Sequence, residues 1–277
     1  MWSIGIYEGD SIFSMKPSTK IRNPVITIDS ITDVRASLVA DPFMIFVNKQ
    51  WYMFFEVMNE DERKGEIGAA TSKDLLKWEY IGIVLKESFH LSYPFIFVDG
   101  DDVYMAPETL GAGGVVLYKA VNFPHSWHQQ GMLVKGTHAD PTIIKHEGLW
   151  WLFSCTTPYQ HDSLSISWAE NLHGPWLPHD LNPVYSDSKS ISRPAGRMVD
   201  EGGNILRFFQ NCSRIYGESV GVAKIQRLSK DHYDEHIKEG SDVLGPSGIG
   251  WNATRMHHID CHRTETGSWV ACVDGHV

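Results

Sequence analysis

Six carboxylates, Asp41, Glu56, Glu108, Asp140, Asp260 and Asp274, stand at matched places along this chain. Crowded carboxylates push one another's pKa upward. The spread of pKa values that follows is what acid–base chemistry on a glycosidic bond requires. Three of the six, Asp41, Asp140 and Asp260, open apolar runs, and Tyr93 and Arg193 open two more. Taken singly, an Asp before a Pro is as readily a turn cap. A cap would tend to repeat one residue type, whereas the series Asp, Tyr, Asp, Arg, Asp diverges at one structural position. That divergence points to a working site.

Other residues with usable chemistry cluster around the same runs. His138 and His258 each stand two residues before an opening Asp, and His90 and His257 three before an opening residue. Alternation along a strand turns His138 and His258 toward the face of Asp140 and Asp260. These histidines leave open the capping of strands and two ligand uses. One is a divalent metal at a common axis, with His138 and His258 as candidate ligands; the other is hydrogen bonding to a sugar. Arg193 and Arg214 suit an anionic ligand group, because the guanidinium fork pairs with carboxylate or phosphate. Tyr216, Glu218 and Gln210 lie close by in sequence. Trp251, on the Gly-rich stretch before the last run, is placed to stack on a sugar ring.

What positions these residues is a repeat. Each opening residue is followed by a second apolar strand, namely Trp51–Glu56, Val103–Glu108, Leu149–Cys155, Ile205–Gln210 and Trp269–Asp274. Asp41 to Glu56, Tyr93 to Glu108 and Asp140 to Cys155 each span 15 residues; the fourth pair spans 17 and the fifth 14. Third strands recur at Glu66–Ser72, Gly114–Ala120, Ser163–Ala169 and Val220–Ile225, and Trp78, Trp127 and Trp176 open fourth strands, with Tyr233 in that place in the fourth repeat. Repeats of roughly 40–50 residues built of short strands indicate an all-β, five-bladed propeller. The blades are expected at about 38–86, 90–135, 137–181, 191–240 and 255–277 plus 2–28. The last blade is completed from the N-terminus, where Trp2–Glu8 has the third-strand pattern and Asn23–Ile28 that of a fourth strand; this leaves no open ring edge.

In a propeller the first strand of each blade lines the central channel, and the second returns antiparallel to it. The openings and the ends of the second strands therefore share one mouth. This places Asp41, Tyr93, Asp140, Arg193 and Asp260 in one ring and Glu56, Glu108, Cys155, Gln210 and Asp274 in another. Arg214, Tyr216 and Glu218 follow on a loop at the same mouth.

Composition limits the alternatives. The formal net charge of −10 argues against a nucleic-acid partner. No apolar run is long enough to span a bilayer, and Met1-Trp2-Ser3 leads straight into a strand without a signal peptide, so a cytoplasmic location is expected. Cys155, Cys212, Cys261 and Cys272 lack zinc-type spacing and are expected as buried thiols.

Several stretches resemble the N-terminal domain of glucosamine inositolphosphorylceramide transferase and its stand-alone bacterial relatives. They are WSIGIYEG at 2–9, VADPFM at 39–44, HLSYPFIF at 90–97, YMAPE at 104–108, LYKAVNFPHSW at 117–127, SRPAGR at 192–197 and QNCSRIYG at 210–217. More distantly the blade pattern resembles the five-bladed glycoside hydrolases of families 43, 32 and 68. Those hydrolases imply a base or nucleophile Asp in blade one, a second Asp in blade three and an acid Glu opening blade four. Asp41 and Asp140 match the first two places, but Arg193 stands where the acid belongs. Glu108, then Glu218, are the candidates for the acid. The expected activity is glycoside hydrolase-like. The alternative is a glycan-binding domain that serves a partner glycosyltransferase, in which Arg193 marks a lost acid.

Overall fold

The computed structural model describes all 277 residues, the side chains of residues 238–241 excepted. It is a ring of five antiparallel sheets. Blade one comprises Ala36–Val47, Gln50–Asn59, Lys64–Ser72 and Glu79–Leu85; blade two Ser92–Asp99, Asp102–Glu108, Gly114–Asn122 and Ser126–Lys135. Blade three comprises Ala139–His146, Leu149–Cys155, Leu164–Ala169 and Leu177–Pro178. In blade four the first strand is split into Arg193–Pro194 and Val199–Glu201, both paired with Asn204–Asn211, and Ser219–Ser229 and His232–Leu244 follow. Blade five joins Ile259–Arg263 and Trp269–His276 to Trp2–Gly9 and Lys16–Pro17.

Local chemistry accounts for these boundaries. The hairpins away from the site turn on two-residue loops with left-handed backbone, such as Asn48-Lys49 and Glu147-Gly148, the geometry that matches strand twist. Trp78, Trp127 and Trp176 each donate their indole N–H to a backbone carbonyl three or four residues earlier, fixing the turn into the fourth strand. All four cysteines are free and buried.

The N-terminal strand closes the ring in continuous register, from Trp2 opposite His276 to Gly9 opposite Trp269. The expected fourth strand at Asn23–Ile28 is different. Lys16–Pro17 is the fourth strand, and the later segment makes a single bridge, Ile4 to Ile26. Pro17 and Pro24 lack the N–H groups a longer ladder needs. The Asn23 side chain takes over, accepting from Ile6 N at 2.8 Å and donating to Ile6 O at 2.9 Å. Asn182 does the same for Ile166 at the outer edge of blade three, so the two Asn-Pro-Val segments are equivalent.

The channel is filled below its mouth. Tyr93 Oη accepts from Gly196 N at 2.7 Å and lies 2.7 Å from Thr142 Oγ1, joining blades two, three and four. Arg197 donates to Asp260 at 2.7 Å and to Ile96 O at 2.7 Å, while Met44 N donates to Asp260 at 2.6 Å. Phe43, Tyr93 and Phe95 pack around these bonds. The open part of the axis is therefore a shallow mouth. Among the described residues no helix is long and apolar enough to cross a membrane.

Deleting residues 1–9 removes the buried Trp2, Ile4, Ile6 and Tyr7. Each such side chain contributes about 1.5–3 kcal/mol, so the melting temperature should fall by more than roughly 10 °C. An unchanged melting curve would contradict closure by this strand.

Candidate functional site

In blades one, two and three the strand register shifts at the opening residue, leaving Asp41-Pro42, Tyr93-Pro94 and Asp140-Pro141 out of the ladder. Asp41, Tyr93 and Asp140 have φ of 54°, 46° and 50°. A non-glycine residue in this region costs on the order of 1–3 kcal/mol. The bulge turns each side chain inward to the axis. In blade four there is no such bulge at Arg193, which pairs directly with Gln210, and the long arginine reaches the axis from a regular strand.

Arg193 is 7% exposed and organises one side of the mouth. Its Nε donates to Asp140 Oδ2 at 2.6 Å and its Nη2 to Asp140 Oδ1 at 3.3 Å. Its Nη1 donates to Pro158 O and to His161 Nδ1, both at 2.9 Å. Glu108 Oε2 lies 3.7 Å from Nη2, and the Tyr216 ring stands 5.0 Å from the guanidinium carbon. Gln210 adds a bond to Asp140 Oδ2 at 2.7 Å. Both Asp140 oxygens are thus occupied by donors, and the donors of Arg193 are directed at protein groups. The fork expected for an anionic ligand is spent on holding blades three and four together.

Glu108 and Asp41 are left with open oxygens. Glu108 Oε2 accepts the Asp140 N–H at 3.0 Å. Burial, and then Asp140, push Glu108 up to about 7, against the opposing pull of Arg193. Asp41 is 6% exposed. Burial raises it well above the ordinary carboxylate range; His257 opposes this, and Asp140, Glu56 and Asp274 add to it. Glu56 holds His90 Nε2 at 3.2 Å. Because Gly65 N donates to His90 Nδ1 at 2.8 Å, the ring proton sits on Nε2 and points at Glu56, and this bond is the main cause of the raised His90 pKa.

Blade five supplies the opposite wall. His257 Nδ1 lies 2.7 Å from Asp274 Oδ2, close but off the line of a good N–H···O bond, and its Nε2 lies 3.6 Å from Asp41 Oδ1. Burial disfavours the charge on His257, yet Asp274 and then Asp41 outweigh it and lift the pKa to about 9. Burial works to raise Asp274, but the adjacent His257 and the N–H groups around it hold it below the usual range. The backbone N–H groups of Asp41, His257 and His258 all donate to Asp274 at 3.1 Å. Gly217 (φ 65°) passes so close that a Cβ there would stand 2.7 Å from His257 Cβ. Only glycine lets the Tyr216 loop seat on this wall.

The structure therefore brings together Asp41, Glu56, His90, Glu108, Asp140, Arg193, Gln210 and Tyr216, with Tyr93 and His258 just beneath. His258 is 1% exposed, neither ring nitrogen has a partner, and burial lowers its pKa to about 4. Five expected members lie elsewhere. Asp260 is deeper in the channel, bound to Arg197, His262 and Met44 N. By register the blade-five opening is His258, whose N–H meets Asp274, and Asp260 is two residues further in. His138 faces outward between blades two and three; its Nδ1 lies 2.8 Å from Ser154 Oγ and its Nε2 3.1 Å from Lys135 O. The left-handed Asp140 breaks the alternation that would have turned His138 inward. Both nitrogens are engaged, so His138 is no metal ligand. Trp251 packs onto Gly5 and Gly275, in the space their missing side chains leave on blade five. Glu218 pairs with the exposed Arg214 across its own loop and makes no hydrogen bond to the carboxylate ring.

His161, His257 and Asp274 complete the site. Asp274 carried a signal in the repeat, at the place of Glu56 and Glu108. His161 carried none, because its loop has no counterpart in the other blades. A cation has one candidate cluster among the described residues, Asp41, His257 and Asp274. It would first have to displace the proton that keeps His257 charged.

Across residues 1–276 the chain matches the family profile described as Glucosamine inositolphosphorylceramide transferase 1, N-terminal. Glucosamine inositolphosphorylceramide transferase 1 of Arabidopsis thaliana is 37% identical over 99% of this chain and 39% of its own length. The chain thus spans about two fifths of that relative. Among solved structures, the catalytic domain of a family 62 α-L-arabinofuranosidase from Coprinopsis cinerea superposes with a TM-score of 0.66 at 12% identity, covering 91% of this chain and 95% of that one. An exo-β-1,3-galactanase from Clostridium thermocellum does so with a TM-score of 0.62 at 13% identity, covering 84% and 56%. These likenesses establish the fold.

Removing Arg193 strands the buried Asp140. Arg193→Ala should cost about 3–5 kcal/mol, seen as a lower denaturation midpoint in urea with an unchanged slope. A midpoint equal to that of the parent protein would show that the pair does not hold the blades.

Proposed function

Because the chain belongs to the family of glucosamine inositolphosphorylceramide transferase N-terminal domains, we propose that its channel mouth takes a glycoside or sugar conjugate and acts on it with Glu108 as general acid and Asp41 as base or nucleophile. One observation carries this reading. Glu108 and Asp41 share one mouth with open oxygens, while Asp140 is fully engaged by Arg193 and Gln210. A carboxyl pushed up to about 7 still holds a proton where most carboxylates have lost theirs, so Glu108 can protonate a leaving oxygen. Asp41 must be ionised to activate water or attack carbon, the state that His257, 3.6 Å away, favours against the burial and neighbouring carboxylates that raise its pKa. Asp140 and Gln210 orient the site.

A second reading has its own support. Arg193 stands where the related hydrolases open blade four with an acid, and its donors are committed. On that reading the mouth holds a glycan without turnover, for a partner glycosyltransferase.

Phenyl glycosides separate the two, because phenolate leaves poorly without a proton. The α-L-arabinofuranoside, β-D-galactoside and β-D-glucosaminide form a suitable panel, with phenol release and binding both measured. Catalysis predicts release that is lost as pH falls through the Asp41 pKa, since Asp41 must be ionised, and lost as pH rises through the Glu108 pKa of about 7. Glu108→Gln should lower kcat by roughly 10²–10⁴-fold and abolish the alkaline limb. Binding without release favours the second reading, and neither binding nor release removes both.

A further inference from the structure

In the wall formed by Arg193, Tyr216 and His161, one ring nitrogen of His161 is left unused. Arginine is a donor only, so the 2.9 Å contact between Arg193 Nη1 and His161 Nδ1 requires a lone pair on Nδ1. The ring is then neutral and its proton sits on Nε2. Nε2 makes no hydrogen bond to any described residue, and on this half-buried ring it is open to solvent beside Arg193 and Tyr216.

The ring is held in place from several sides. Its backbone is left-handed (φ 62°). His161 N donates to Thr157 O at 2.7 Å, and Thr157 Oγ1 donates to Asp162 at 2.8 Å. The Tyr216 ring lies against it with centroids 5.0 Å apart. The carbonyl of Pro158, in the same loop, is bonded to the same Nη1.

We propose that His161 is a ligand-binding residue of this site: it is held as the neutral Nε2–H tautomer by Arg193 and donates that proton to an oxygen of the bound sugar. The inference rests on reading the mouth as a sugar site. It adds a pH dependence with a defined sign. Protonating Nδ1 would set an N–H against the guanidinium, so binding is present above the His161 pKa and lost below it. Burial, then Arg193, lowers that pKa; Lys189 adds to this, while Asp140 and Asp162 oppose it.

Two measurements test it. In the unmodified protein without ligand, imidazole ¹⁵N spectra should show His161 at pH 7 as the neutral Nε2–H form, titrating below an ordinary histidine. The Nδ1–H form, or a charged ring, would overturn the proposal. The second uses His161→Asn, which keeps an acceptor near the Nδ1 position, tolerates the left-handed backbone and removes the Nε2 donor. With the melting temperature retained, its Kd for the phenyl glycoside that binds the parent should rise roughly 3- to 10-fold. An unchanged Kd would make His161 merely a support for Arg193. If none of the three glycosides binds the parent, the sugar-site reading falls and the ligand contact with it, while the spectra still report the tautomer.

Discussion

The bidentate pair between Arg193 and Asp140 is the constraint on which the rest of the mouth depends. It joins blades three and four at the axis with contacts of 2.6 and 3.3 Å. From the same guanidinium, bonds reach Pro158 O and His161. A buried pair of this kind is weak evidence for stability in itself, since desolvation offsets much of the attraction. Its effect here lies in what it fixes. It occupies Asp140, orients His161 and places a permanent positive charge 3.7 Å from Glu108.

That arrangement divides the carboxylates by environment. Asp274 is surrounded by N–H groups and a charged histidine and stays low. Asp260 serves the floor with Arg197. Glu108 and Asp41, buried among like charges, are raised. For the proposed pair to work, Glu108 must keep its proton while Asp41 is ionised, and His257 is the neighbour that favours the ionised Asp41. In the proposed catalysis Arg193 is a clamp, and the acid is Glu108, at the end of the second strand of blade two.

The blades were legible in the sequence because a strand, a tight hairpin and a return strand repeat with nearly constant spacing. Ring closure was legible because Trp2–Glu8 repeats the third-strand pattern. The misplacements have local causes. Asp260 looked like an opening residue, but the ladder puts His258 there. His138 was misdirected because a left-handed residue breaks the period-two rule. Trp251 looked exposed on a Gly-rich loop, yet two glycines on distant strands make room for it. His161 lies on a loop outside the repeat, and only its contact with Arg193 reveals it.

The central claim is that Glu108 holds its proton near neutrality beside a committed Arg193–Asp140 pair. Site-resolved ¹³C titration of the glutamate carboxyls tests this without any ligand. The Glu108 midpoint should fall at about 7. A midpoint in the ordinary glutamate range, about 4.3, would contradict it.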